Sequence, residues 1–232
     1  MSMSSTDKGL LTPGNCAVIF IDHQPQMFFG AADTDWEDLL KNVLLLAKAA
    51  KMFGVPVILT AVESREFDGG IVPQLLALFP GQPPIQRSSM NAWDDEGFVA
   101  AVRTTGRRNF LIAGLWSEAC LAFPALQMLE EGYGVYAVKD ASRGTNQAAQ
   151  DTALRRVEQA GGVSVTALQV LLEFQRDWAR VEHCDEVTAI VKERCCGYTQ
   201  GTKRPGRTVH SVATNDKRKE GQRSAKRKEI NT

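Results

Sequence analysis

Three residues far apart in the sequence combine into one chemistry: the thiol of Cys120, the carboxylate of Asp22 and the guanidinium of Arg87. Cys120 ends the stretch GLWSEAC, which follows an apolar run and opens a helical pattern at Ser117, a residue type suited to capping a helix start. A thiol in the first helical turn meets free N–H groups and the positive end of the helix dipole. Both favour thiolate from a starting pKa near ~8.5. The same N–H groups can hold a developing oxyanion. A buried, inert cysteine is the plainer alternative for such a position. Asp22 ends CAVIFID, where poor solvation raises a carboxylate toward the useful range of a general base. A helix cap or structural acceptor fits it as well. Arg87 follows a proline-bounded segment. It stays charged, so it can anchor a carboxylate or stabilise a thiolate but cannot shuttle protons. A surface or interface ion pair is its bland counterpart. Together the three outline acyl transfer: attack on a C–N or C–O carbonyl centre, a thioester, and release by water.

Positioning these groups falls to alternating elements. Cys16–Ile21, Pro56–Val62, Asn109–Ala113 and Gly134–Val138 are continuous apolar runs, as in strands buried on both faces, and Val163–Val165 is a short last one. Residues 83–86 read as a further short strand leading to Arg87. Between the runs, Trp36–Phe53 repeats apolar residues at helical spacing and is stopped by Gly54 and Pro56. Further helices are predicted around Phe98–Val102, over Ser117–Glu131, Gln147–Gln159 and Leu168–Trp178. Strand and helix in alternation predict a parallel sheet covered on both faces, with ligands at the carboxyl ends of the strands. Asp22, Arg87, Ser117 with Cys120, and Asp140 all follow strands and are expected to gather on that edge.

The chain has 232 residues, 44% of them hydrophobic, enough for one domain with a substantial core. No run approaches the ~20 apolar residues of a membrane span, and no secretory pattern is seen. A cytoplasmic protein without membrane contact is the expectation. The five cysteines are irregularly spaced and the histidines are only His23, His183 and His210, so a disulfide framework is not expected and zinc would need unusual ligands.

FIDHQ, RSSMNAWDDEGF, AGLWSEACLAFPAL and VKDAS, spread over about Leu11 to Trp178, resemble the isochorismatase-like cysteine hydrolases, most nearly their YcaC-type branch. The resemblance implies a three-layer α/β/α sandwich with a mostly parallel, Rossmann-like sheet, no cofactor, and a homo-oligomer, an octamer in that branch. It implies Cys120 as nucleophile and Asp22 as proton acceptor. Arg87 stands where most of the superfamily carries lysine and the branch carries arginine, which leaves an electrostatic role. A non-proline cis bond is implied at Leu115–Trp116, aiming the Trp116 and Cys120 N–H groups at an oxyanion hole. Zinc-binding members have Asp-x-His; His23 and Gln24 follow Asp22 here, so no metal is expected. Members that cleave isochorismate lack the cysteine, so Cys120 points to a small amide, nitrile or related C–N substrate. Gln24, Phe28, Asn91, Trp93, Ser117 and Phe123 are the expected pocket residues. Helix capping by Asn91 and core packing by the aromatics are their structural counterparts.

The predicted domain spans residues 1–193, with a basic, disordered tail over 194–232. Of 27 basic and 27 acidic residues, eleven basic but only three acidic lie from Arg194 onward, leaving 16 basic and 24 acidic before it. Two KRK runs make a nucleic-acid contact conceivable through this tail alone; a solvated extension unrelated to the chemistry is favoured. The main alternative to a hydrolase is a non-catalytic assembly or interaction protein on the same fold.

Overall fold

A computed structural model describes residues 9–31, 35–63 and 69–194. The chain divides into two units, Met1–Ile190 and Val191–Thr232, and only Val191–Arg194 of the second is described. The tail, with Cys195 and Cys196, lies outside the described residues.

The strands are β1 (Cys16–Ile21), β2 (Val57–Val62), β3 (Ile85–Arg87), β4 (Asn109–Gly114), β5 (Gly134–Val138) and β6 (Val163–Val165). They form one parallel sheet in the order β3-β2-β1-β4-β5-β6. The helices are α1 (Pro25–Phe29), α2 (Trp36–Met52), α3 (Pro73–Leu76), α4 (Glu96–Thr104), α5 (Ala122–Glu130), α6 (Gln147–Gln159), α7 (Ala167–Gln175) and α8 (Cys184–Arg194). Every residue of β1 is buried, as its unbroken apolar run requires. Ala17, Ile19 and Ile21 of β1 share one core with Phe98 and Val102 of α4, Ala125 and Met128 of α5, and Val157 of α6. Val18 and Phe20 point the other way and are just as buried; α2 and α7 pack against each other. Each fully buried Ile or Phe of β1 stabilises the fold by about 2 kcal/mol.

The chain leaves β1 toward β3 and then returns to lay β4 on the other side of β1. That reversal puts a topological switch point at the carboxyl ends of β1 and β4, the place where ligands bind in sheets of this kind. Ile21 pairs with Gly114, so Asp22 and Leu115 emerge side by side. Arg87 closes β3 in register with Val62 rather than following the strand.

Local chemistry sets the helix starts. Asp35, Asp95, Asn146 and Thr166 each cap a helix by accepting backbone N–H bonds. Three helices were not anticipated. α1 and α3 are single short turns led by a proline, too brief for a periodic signal. α8 mixes apolar and charged residues in equal number, which gives only a weak periodic signal. The helix expected over Ser117–Glu131 is instead a π-turn, Ser117–Leu121, followed by α5. Among the described residues no helix is long and apolar enough to cross a membrane.

Candidate active site

Asp22 is fully buried and takes φ +57°, a left-handed conformation that Asp tolerates better than most residues. That twist turns its carboxylate sideways across the sheet edge. Oδ1 accepts the Val62 N–H at 2.8 Å, and Oδ2 pairs with a guanidinium nitrogen of Arg87. The second terminal nitrogen of Arg87 donates to the carbonyls of Ser89 and, at 3.3 Å, Met90. Arg87 therefore neutralises Asp22 and pins the segment after β3 with one planar fork, which a lysine cannot do.

Cys120 lies within hydrogen-bonding reach of both Asp22 and Arg87 and is only 6% exposed. Three residues separated by 65 and 33 positions thus meet in one buried cluster, each delivered by a different strand end. Burial pushes the Cys120 thiol well above its ordinary range; the Asp22 carboxylate pushes the same way, and Arg87 opposes both without prevailing. The resting group is a thiol. The depressed pKa expected from a helix start does not arise, because desolvation dominates and the Asp22 charge offsets that of Arg87.

The turn carrying the thiol also differs from expectation. No cis peptide bond occurs among the described residues, so Leu115–Trp116 is trans, and Trp116 makes the turn with φ +40°. The Trp116 carbonyl accepts both the Ala119 N–H at 3.0 Å and the Cys120 N–H at 2.9 Å. One of the two expected oxyanion donors is therefore engaged within the turn at rest. Ser117 is the first residue of the π-turn rather than its cap; its buried hydroxyl meets no hydrogen-bond partner among the described residues. Gly114 lets the turn sit down on β4: a Cβ there would stand 3.3 Å from the Cys120 carbonyl.

The other expected residues divide into two groups. Gln24 is buried beside Asp22 in sequence and donates to the carbonyls of Val62 and Gly69. Phe28 is buried against His23 and lines an apolar cavity of about 230 Å³ with Pro25, Phe29, Trp36 and Val72. Phe123 is partly exposed on α5. Asn91 instead caps the turn Ala92–Asp94 and bonds to Gln127, while Trp93 donates to Glu131 and packs on Phe98 and Tyr133. These two are tied to α5 and its end, which is the structural role weighed above. Asp140 turns away from the cluster and accepts the Ala167 N–H at the start of α7. Sequence reasoning missed Gly30: a Cβ there would stand 2.7 Å from the Trp116 ring, so α1 seats that indole closely. A glycine closing a Phe-Phe pair was the available signal.

The site is thus a doubly wound parallel sheet with Cys, Asp and Arg gathered at its switch point. The isochorismatase domain model matches residues 16–169, and the chain belongs to the isochorismatase family of hydrolases. It is 41% identical to the probable hydrolase YcaC of Escherichia coli over 169 residues, 72% of this chain and 81% of that protein. The structure of YcaC from Pseudomonas aeruginosa with hexane-2,5-diol and covalent acrylamide matches with a TM-score of 0.78 and 36% identity. The match covers 86% of this chain and 96% of that one. The Escherichia coli YcaC structure, described as an octameric hydrolase of unknown specificity, matches with a TM-score of 0.78 and 36% identity. It covers 83% of this chain and 94% of that one.

Proposed function

We propose that the chain is a cofactor-independent cysteine hydrolase of a small amide, nitrile or related C–N substrate. The observation that carries this reading is the cluster itself: a buried Cys120 within reach of an Asp22–Arg87 ion pair. In the proposed sequence, Cys120 Sγ attacks the substrate carbon while its proton passes to Asp22. The C–S bond forms and the π pair of the carbonyl moves onto oxygen. The tetrahedral adduct collapses, the amine leaves with the proton from Asp22, and a thioester remains. Asp22 then takes a proton from water, whose oxygen attacks the thioester. Collapse expels the sulfur, which regains the proton as the acid departs. The Trp116 and Cys120 N–H groups are the proposed oxyanion donors, and the Cys120 N–H exchanges the Trp116 carbonyl for the oxyanion as it forms.

Arg87 spends both terminal nitrogens on Asp22 and backbone carbonyls, so the reading favours a neutral substrate over a carboxylate held by Arg87. The covalent acrylamide of the Pseudomonas relative bears on a nucleophile in that protein and not on amide cleavage, since acrylamide alkylates through its C=C bond with its amide left intact. Assembly into a homo-oligomer belongs to this reading and rests on the octameric relative; light scattering is expected to return the mass of eight chains.

The test is intact-protein mass spectrometry after incubation with a set of small amides, nitriles and activated esters. An adduct that maps to Cys120 and disappears in Cys120→Ala supports the nucleophile and names the substrate class. Hydrolysis retained in Cys120→Ala excludes it. A Cys120 inert to every compound favours the assembly protein, a reading to which its buried, strongly protonated thiol would then belong.

A further inference from the structure

The motif GLWSEAC contains one charged residue, Glu118, and the proposed chemistry leaves it unused. A π-turn is poorly bonded compared with an α-helix, and this one has no side-chain cap at its start. Something else must hold it still. The Glu118 carboxylate accepts the Thr145 hydroxyl at 2.6 Å and the Thr145 N–H at 3.2 Å. One residue earlier, the Ser117 N–H donates to the Arg143 carbonyl at 3.0 Å. Consecutive residues of the turn are thus laced to the loop after β5.

That loop is itself anchored. Ser142 Oγ donates to the Val138 carbonyl at 2.8 Å and accepts the Gly114 N–H at 3.1 Å. Gln150 Nε2 donates to the Lys139 carbonyl at 3.2 Å. Gly144 is required for the lacing: a Cβ there would stand 2.9 Å from Glu118 Oε2 and 2.6 Å from the Gln150 nitrogen. The carboxylate therefore fits against bare backbone.

We infer that Glu118 is a positioning residue for the nucleophile, holding the π-turn on the Gly144–Thr145 backbone so that the Cys120 thiol stays directed at Asp22. The inference rests on Cys120 being the nucleophile. Its consequence concerns proton transfer: with the turn released, Asp22 no longer takes the thiol proton, and Cys120 reacts only as the thiolate that bulk solution supplies.

The experiment is alkylation by iodoacetamide, followed by peptide mass spectrometry at several pH values, on the full chain and its Glu118→Ala, Glu118→Gln and Thr145→Val variants. Cys16 and Cys184 are read in the same digests. Glu118→Ala is expected to slow Cys120 by at least about tenfold, since a shift near 1 Å can cost more than that. Its rate should then rise roughly tenfold per pH unit, as an unassisted thiol's does. Glu118→Gln keeps an acceptor oxygen for Thr145 and should recover most of the rate; Thr145→Val should fall between. Glu118→Ala alkylating at the wild-type rate and pH profile overturns the inference. So does an equal loss in Glu118→Gln, or a rise in Cys16 labelling that marks general loosening. A wild-type Cys120 that resists alkylation at every pH sinks the functional reading instead, so the two failures are distinct.

Discussion

Acid should weaken this fold through His23, and the size of the effect can be worked out. The ring is fully buried, 5.6 Å from Phe20 and 6.1 Å from Phe28 between ring centres. Nε2 lies 3.1 Å from the Ala141 carbonyl, so that nitrogen carries the proton. Nδ1 has no hydrogen-bond partner among the described residues, and a proton placed there would bury a cation with nothing to accept it. Burial lowers the His23 pKa to about 4, against the smaller opposing effect of the Ala141 bond. In the unfolded chain the value returns to about 6.5. Above pH 6.5 neither state is protonated and the stability is complete. Below it the unfolded state binds a proton that the native state refuses, so stability falls by about 1.4 kcal/mol per pH unit until pH 4, a total on the order of 3 kcal/mol. Urea unfolding followed by tryptophan fluorescence at about pH 7 and about pH 5 measures this directly. His23→Gln retains a donor for Ala141 and does not titrate, and other groups cancel in the comparison. The wild type should lose about 2 kcal/mol more than His23→Gln between those two pH values. Equal losses in the two proteins would refute the reasoning.

Three further outcomes are expected. Asp22→Asn should abolish the assisted reactivity of Cys120: wild-type alkylation stays nearly flat between about pH 6 and pH 8, whereas the variant climbs roughly tenfold per unit. A wild-type rate that climbs equally steeply removes Asp22 as the base. Arg87→Ala leaves the buried Asp22 carboxylate without a counter-charge, held by the Val62 N–H and the Cys120 thiol, and should cost about 3 to 5 kcal/mol in urea unfolding, while Arg87→Lys keeps the charge and loses the grip on Ser89 and Met90. A loss below about 1 kcal/mol in Arg87→Ala would mean the pair is not desolvated as described. Gly30→Ala drives a methyl into the Trp116 ring and should cost about 1 to 3 kcal/mol in the same assay, with slower Cys120 alkylation; unchanged stability and rate would mean the α1 seat is loose.

Much of the architecture was legible because buried parallel strands leave an unmistakable mark. CAVIFI and NFLIA have no polar face, and Gly54, Gly132 and Gly161 punctuate the helices where a left-handed residue is needed. Strand ends then pointed to Asp22, directly after β1, and to the turn after β4 that carries Cys120, since the chain leaving such a run emerges at the sheet edge. What stayed hidden depends on partners distant in sequence. Nothing local tells that Arg87 grips Ser89 and Met90 as well as Asp22, or that Asp140 turns to α7. The π-turn escaped notice because its residues carry ordinary helical propensities; its shape comes from Trp116 at φ +40° and from the lacing to Arg143 and Thr145. Trp93 and Asn91 sit in a motif beside the site, yet packing and capping decide where their side chains go.

The raised pKa of Cys120 bears on how the proposed chemistry begins. A free thiolate in this pocket would add a second buried anion beside Asp22, which desolvation and repulsion both oppose. Passing the thiol proton to Asp22 avoids that. The negative charge moves from the carboxylate to sulfur while Arg87, in reach of both, remains the counter-ion throughout. The buried cluster keeps the same net charge before and after, so only the difference between two pairings separates the resting and attacking states, and no ion has to be desolvated anew. A side chain at position 87 that stays protonated at every working pH suits this task better than one that can itself give up a proton. In the proposed mechanism the same balance keeps Cys120 a thiol between turnovers, and thiols are oxidised far more slowly than thiolates. On that proposal the thiolate is made only when an electrophilic carbon is present to share its charge, which would tie activation of the nucleophile to occupancy of the site.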